Sequence, residues 1–382
     1  MANIGLGGGA CEPHLPAEPA AEPAQAAQIR VTGQRQVHAW AQRVLPPVER
    51  VRPGLWSVPV PIPHNPLRYV LVYAIDLPDG VALVDTGWPV EDAWDVLVAG
   101  LAEAGYAIGD VRAVLVTHHH PDHAGLAGRV RAASGAWVGM HPAEARSFEH
   151  MGVEALLAFT RSWLHARGAP ESEVQSADQL PFALDELLAS RPDRLIEDGD
   201  TPLGQGTSLR AVWTPGHTAG HLCFFDEVAG LLFAGDHVLP RISPNIMLMD
   251  PRDTDPLSDF LESLTTVAKL PVDEVLPAHE YRFAGLEHRV AQLRGHHERR
   301  LSEVERLVVA NPDSSTYAIA SLLTWSRPWS QLGTMRRAAI GEALAHLVLL
   351  RRHGRVQNLG TDVDRWRTAT EGGAGEPFTN GR

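Results

Sequence analysis

The densest chemistry in the chain is the heptad Thr117-His118-His119-His120-Pro121-Asp122-His123. Histidines packed this closely beside a carboxylate would repel one another's protonated forms unless a divalent cation organised them. His118 and His120, two residues apart, project toward the same side of an extended turn, and Asp122 with His123 reaches a neighbouring point. Imidazole and carboxylate together suit Zn²⁺, with Mn²⁺ and Fe²⁺ ranked below it. A solvated histidine-rich loop is the plainer alternative, and three further segments weigh against it. His217 lies in TPGHTAGH after the apolar run LRAVW, Asp236 ends LLFAGD, and His279 ends EVLPAH. Each alone would pass for a capping or turn residue. Strand ends in a layered α/β fold converge on one edge, however, so the four loops can meet there.

The elements that must position these residues follow from the apolar patterning. GLWSVPVPIP and RYVLVYAIDL are β-rich runs, and Pro78-Asp79-Gly80 is a turn signal before VALVDTG. A helical period spans Val90 to Glu103, with Val90, Trp94, Leu97, Val98 and Leu101 on one face. RAVLVTH, AWVGMH, LRAVWTPG, HLCFFD, GLLFAGD and EVLPAH continue the strand series. The reading is an α/β domain of two sheets packed together with helices outside. A helix-rich insertion over 143–190 interrupts the strands and forms either one wall or lid of a pocket or a plain packing hairpin. Residues 1–45, rich in Ala, Pro and Glu, are expected to be a disordered tail, as are residues 361–382. A catalytic domain over 46–284 and a helical module over 285–360 lie between them. Three helices ending in a Gly-Arg-Val turn give that module a winged-helix-like pattern.

Composition narrows the function classes. The 382 residues include two cysteines, too few for a disulfide framework or a Cys-rich zinc site. The 19 histidines are the larger resource. The net charge of −13 argues against wholesale binding to nucleic acid or anionic membrane, although Tyr281–Gln357 alone carries about +6 (12 Arg against 6 Asp and Glu). No apolar run approaches the roughly 18–20 residues of a membrane helix. The opening residues show neither a basic nor an apolar leader region, so a cytoplasmic location is expected.

The segments LVDTG, THHHPDH, TPGHTAGH, FAGDH and LPAHE resemble, in order and spacing, the five motifs of the metallo-β-lactamase fold superfamily over roughly Val51 to Glu280. The resemblance implies an αββα sandwich. It places His118, His120 and His217 around a first metal and Asp122, His123 and His279 around a second, with Asp236 bridging. Asp85 would orient the histidine loop, and His221 would support the ligands from behind. Two Zn²⁺ per chain are implied, with Mn²⁺ or Fe²⁺ as alternatives, and so is hydrolysis by a hydroxide held between the metals. Asp122 would orient that hydroxide and relay its proton. His120 stands where oxygen-reducing diiron relatives have HxExDH, which disfavours a redox role. The helical module fits the thioesterase and endoribonuclease branch, so a thioester, ester or lactone of a small acyl molecule leads as substrate. The alternatives are a nuclease whose basic module grips the strand, and, from His279-Glu280-Tyr281, a hydrolase resembling glyoxalase II that acts on hydroxyacylglutathione. Nucleic acid is the disfavoured partner, a non-catalytic binder is disfavoured by the filled ligand positions, and a homodimer is left open.

Overall fold

A computed structural model describes residues 29–148, 152–175, 184–204, 207–249 and 255–369. The chain enters through β1 (Arg30–Val31) and α1 (Gln34–Gln42). It then runs an antiparallel meander of β2 (Glu49–Arg52), β3 (Leu55–Pro61), β4 (Tyr69–Leu77) and β5 (Gly80–Val84). Pro78 and Asp79 form the two-residue hairpin between Leu77 and Gly80, which pair across it. Helix α2 (Glu91–Ala104) crosses over to β6 (Val111–Leu115), and α3 (Pro121–Ala124) with α4 (Ala127–Ser134) crosses over to β7 (Trp137–Met140). The helices α5 (Pro142–Ser147), α6 (Val153–Ala166), α7 (Glu171–Gln175) and α8 (Leu184–Leu188) separate β7 from β8 (Arg194–Leu195). The second half begins with β9 (Leu209–Trp213), β10 (Leu222–Asp226) and β11 (Leu231–Gly235). It continues through α9 (Pro256–Val267), β12 (Glu274–Pro277) and β13 (Phe283–Ala284). Helices α10 (Leu286–Ala310), α11 (Thr316–Leu322) and α12 (Arg336–Arg352) follow, then the hairpin β14 (Val356–Asn358) and β15 (Trp366–Thr368).

Strands β2 to β8 form one sheet in sequence order, antiparallel as far as β5 and parallel beyond it. The second sheet has the order β1-β13-β12-β11-β10-β9, with β11 and β12 parallel. Parallel neighbours require long crossovers, and α2, α4 and α9 supply them. Leu71, Tyr73, Val84 and Leu115 of the first sheet meet Phe224, Phe233 and Leu276 of the second in the layer between the sheets. The outer face of the first sheet packs Val58, Val72 and Val114 against Leu97, Leu101 and Val130 of α2 and α4. The outer face of the second packs Val212, Phe225 and Val275 against α9, α10 and α12 through Phe260, Leu264, Leu293 and Leu349. The expected αββα sandwich is therefore the fold, with a helical region after it.

Polar bonds join the two sheets at the edge where the motif loops emerge. Leu71 N–H donates to the Ala278 carbonyl at 2.7 Å, and Leu222 N–H donates to the Thr117 carbonyl at 2.8 Å. Tyr73 Oη donates to the Pro277 carbonyl at 2.9 Å. These bonds tie the loops of one sheet to those of the other before any side-chain ligand is considered.

Parts of both segments expected to be tails carry ordered elements. Residues 1–28 and 370–382 lie outside the described residues, but β1 pairs with β13 and α1 buries Gln36 and Ala39. Gln36 accepts from Arg282 N–H at 2.9 Å and donates to Ser57 Oγ at 3.1 Å. That anchoring is polar and tertiary, so no apolar period announces it. At the other end, β15 carries Trp366, 1% exposed, whose indole N–H donates to Thr316 Oγ1 at 2.9 Å. The 143–190 insertion does not stand apart either. Trp163, Leu164, Ala169 and Val174 share one apolar cluster with Ile319, Ile340, Leu344 and Trp366 of the C-terminal region. Leu248 and Met249 pack against the same cluster, which makes them core contacts. No helix among the described residues is long and apolar enough to cross a membrane.

Trp366→Ala removes the large side chain at the centre of that cluster and leaves Thr316 without its indole donor. A loss of about 3–5 kcal/mol in unfolding free energy is expected by denaturant titration.

Candidate metal centre

Three strands end in the residues that carry the chemistry. β6 leads into His118, β11 into Asp236 and β12 into His279, and the loop after β9 brings in His217. Pro121 at the first position of α3 ends the extended His118–His120 segment and starts the turn that presents Asp122 and His123. Gly235 must be glycine for these loops to close. Its φ is +49°, and a Cβ there would lie 2.7 Å from His221 Nε2 and 2.9 Å from Thr117 Cβ.

All seven residues expected to hold metal come together. His118 Nε2 lies 3.0 Å from His120 Nδ1, and His217 Nε2 lies 3.2 and 3.1 Å from those two atoms. Beside this triangle, His279 Nε2 is 3.4 Å from Asp122 Oδ2 and 3.1 Å from Asp236 Oδ1. His123 Nε2 lies 3.7 Å from Asp122 Oδ2 and 3.6 Å from Asp236 Oδ1. Asp236 reaches the histidine triangle as well, with Oδ2 3.6 Å from His217 Nε2. Thus Asp236 sits between the two groups.

The outward-facing ring nitrogens fix which atoms point inward. His217 Nδ1 donates to the Asn245 carbonyl at 2.8 Å, and His279 Nδ1 donates to the Tyr69 carbonyl at 2.9 Å. His123 Nδ1 donates to Asp85 Oδ2 at 2.8 Å. Asp85 also accepts from Thr117 N–H at 2.8 Å and from Thr117 Oγ1 at 2.9 Å. With its proton committed there, Thr117 Oγ1 accepts from His118 Nδ1 at 3.0 Å. The Nε2 atoms of these four rings are therefore the ones that face inward, and those of His118 and His217, whose rings burial holds neutral, present lone pairs. Asp85 holds a left-handed φ of +62°, a conformation Asp tolerates when its side chain is fixed locally.

Burial decides what this arrangement needs. His123 Nε2, His279 Nε2 and Asp236 Oδ1 are buried with no aligned hydrogen-bond partner, although they lie within ion-pair distance of one another. An orphaned buried group of this kind is costly unless something fills the space between. Burial, reinforced by His123, His120 and His217, keeps His118 neutral, its pKa well below 6.5. Burial likewise holds His120 and His217 low. Around the acidic half the balance reverses. Burial would lower His279, yet Asp236 and Asp122 push it up to about 10. Burial would raise Asp122, yet His123 and His279 hold it at about 2. The acidic half thus demands positive charge while the histidine triangle offers only lone pairs. Divalent cations satisfy both, and the residues present fit them.

The sequence profile of the Metallo-beta-lactamase superfamily matches residues 65–279, more than half of the chain. The chain belongs to the metallo-beta-lactamase superfamily. A metallo-beta-lactamase family protein of Thermus thermophilus is 32% identical, with a TM-score of 0.69 over 84% of this chain and 100% of that one. A protein of Bacillus subtilis (strain 168) named a probable metallo-hydrolase is 24% identical over 67% of this chain and 81% of its own length. An atrochrysone carboxyl ACP thioesterase of Cryptosporiopsis sp. is 25% identical over 52% of this chain, which spans 48% of that protein.

Within this superfamily member, Asp85 and His221 both hydrogen-bond to residues of the cluster. His221 accepts from Asp236 N–H at 3.2 Å and donates from Nδ1 to Thr214 Oγ1 at 2.8 Å, so it fixes Asp236 through its backbone. Sequence reading missed Glu144. Buried in α5, its carboxylate accepts from His119 N–H at 2.8 Å, from His119 Nδ1 at 2.5 Å and from Gly220 N–H at 2.6 Å. It therefore clamps the His118–His120 loop to the His217 loop. A lone Glu in a charged helical stretch carries no sequence signal of that role. The surface groove of about 630 Å³ on α10, lined by Arg299, Arg300 and Glu303, contains none of the site residues.

Burial would raise the pKa of Glu144, but His119 and its hydrogen bonds hold it down to about 2. A carboxylate depressed in the folded state stabilises above its ordinary pKa and loses that contribution as pH falls through the folded value. Glu144→Gln should therefore cost about 1–3 kcal/mol near neutral pH. The difference from wild type should shrink steadily between pH 4.5 and pH 2 in denaturant titrations of the two proteins.

Proposed function

We propose that this chain is a hydrolase of thioester, ester or lactone bonds in small acyl substrates. In this reading it uses two divalent cations, zinc first, with manganese or iron as alternatives. His118, His120 and His217 would hold one ion and Asp122, His123 and His279 the other, with Asp236 shared. The observation that carries the reading is the convergence of three imidazoles beside an acidic pocket in which the buried His123 Nε2, His279 Nε2 and Asp236 Oδ1 have no hydrogen-bond partner. When bound, such ions lower the pKa of a water and polarise an acyl oxygen. Asp122, ionised and 7% exposed at the rim, orients the attacking water and accepts its proton. Asp85 and Thr117 hold the histidine loop still through that transfer.

Side-chain nucleophiles are not needed. Cys223 is buried in β10 and burial pushes its thiol up to about 12, so it stays protonated. The thioester arm draws support from the relative named a thioesterase. The helices after β13 and their hairpin, with Ser314 bridging to Trp366, favour a winged-helix-like module that walls the substrate side. The nuclease alternative loses ground because four of the module's arginines are ion-paired within the chain. Arg300 pairs with Glu303, Arg336 with Glu173, Arg352 with Asp255 and Arg355 with Glu305. Glu280, fully buried with Oε2 accepting from Arg241 N–H at 3.1 Å, is not presented to a glutathione-like ligand either.

The test is a panel of acyl-CoA and other acyl thioesters, aryl esters, lactones, hydroxyacylglutathione and labelled RNA, run with Zn²⁺, Mn²⁺ or Fe²⁺. Acyl hydrolysis that disappears after chelation, and in His120→Ala and Asp236→Ala together with metal content, is expected. Cleavage confined to RNA or to hydroxyacylglutathione would transfer the assignment to those alternatives. Acyl hydrolysis undiminished in metal-free protein would overturn the metal chemistry.

A further inference from the structure

The segment from His237 to Met249 joins Asp236, in the acidic half, to Asn245, whose carbonyl orients His217. It has no regular secondary structure of its own, and its backbone groups must find partners elsewhere. They find them on the C-terminal helices. Arg289 of α10, 6% exposed, donates from Nε to the Leu239 carbonyl at 2.6 Å and from Nη2 to the Ile242 carbonyl at 2.7 Å. Its Nη1 donates to Gln292 Oε1 at 3.0 Å, which fixes the plane of the fork. Immediately after Ile242, Ser243 Oγ lies 3.3 Å from His297 Nε2 of the same helix.

The ring protons on this side are determined as they are in the metal centre. His346 Nδ1 donates to the Glu342 carbonyl at 2.8 Å, so its Nε2 accepts from His297 Nδ1 at 3.2 Å. His297 Nε2 is then an acceptor for the Ser243 hydroxyl. A third tie comes from α12, where the Gly341 carbonyl accepts from Leu248 N–H at 3.2 Å. Gly341 also lets the segment come close, since a Cβ there would stand 3.0 Å from Met247 Cβ. Buried arginine forks and imidazole chains are expensive to assemble. Here they are spent on the one stretch of backbone that separates Asp236 from the acceptor of His217.

We propose that Arg289 is a positioning residue for the metal centre: by holding the Leu239 and Ile242 carbonyls it sets the Asn245 carbonyl and, through it, the ring of His217. The C-terminal helices would then be part of the metal site's scaffold as well as a wall beside it. The inference rests on His217 being a metal ligand.

The test uses the full chain stripped by chelation and titrated with Co²⁺, whose visible absorption reports its ligand geometry. Arg289→Lys keeps the charge, but a single ammonium cannot reproduce the two-carbonyl fork. A 10- to 100-fold weaker Co²⁺ affinity with an altered absorption spectrum is expected, the usual scale for groups behind metal ligands. Adding Arg289→Lys to His217→Ala should produce no further loss at the same site, because the effect travels through that ring. Wild-type affinity and spectrum in Arg289→Lys would overturn the proposal. If Arg289→Lys does not unfold cooperatively, Gln292→Ala decides. It leaves Arg289 in place but removes the acceptor that fixes the plane of its fork, so weakened Co²⁺ binding at undiminished metal-free stability supports the proposal and unchanged binding overturns it. Failure of the wild type to take up Co²⁺ would instead remove the metal reading on which the proposal rests.

Discussion

Asp85, Asp122 and Asp236 are buried together at one edge of the sandwich, and compensating their charge is the constraint around which the rest is arranged. Hydrogen bonds from Thr117 and His123 satisfy Asp85. Asp122 and Asp236 receive no comparable set of donors. They face ring nitrogens that are themselves without aligned partners, so the pocket is unfavourable as an empty protein site and favourable around cations. The fold must therefore hold Asp122 and Asp236 in fixed geometry within a few ångströms of His123 and His279.

The rigidity needed for that comes from the two sheets. Parallel strands place consecutive ligand loops at the same edge, and inter-sheet bonds from Leu71, Tyr73 and Leu222 keep the two sets of loops in register. Glu144 then ties the heptad to the His217 loop, and His221 ties Asp236 to β10. Such supports, one bond removed from the ligands, determine tautomer and ring orientation, and hence whether a lone pair points inward.

The helical additions take part in the same arrangement. Helices α6 and α7 share an apolar cluster with α11, α12 and Trp366, and α10 supplies the arginine fork to the segment behind Asp236. The +6 of the C-terminal region is accordingly reduced by its surroundings. Asp255 and Glu173, both outside that region, offset part of it by pairing with Arg352 and Arg336, and Arg289 donates to backbone carbonyls.

From the sequence alone, the convergence of the histidine heptad with the strand-end Asp236 and His279 and the layered α/β architecture were all legible. Local spacing and apolar periodicity carry that information, because a ligand at the end of a strand must follow its apolar run. Asp85 and His221 could be named, but their bonds to Thr117, Thr214 and Asp236 could not. The ordered segments around Gln36 and Trp366 were invisible because a single buried polar or aromatic contact gives no period. Glu144, Arg289 and the carbonyls of Tyr69 and Asn245 were decided by the tertiary structure alone. Their partners lie 25 to more than 200 residues away in the chain, and only close packing of the sheets and helices brings donor and acceptor within hydrogen-bond distance.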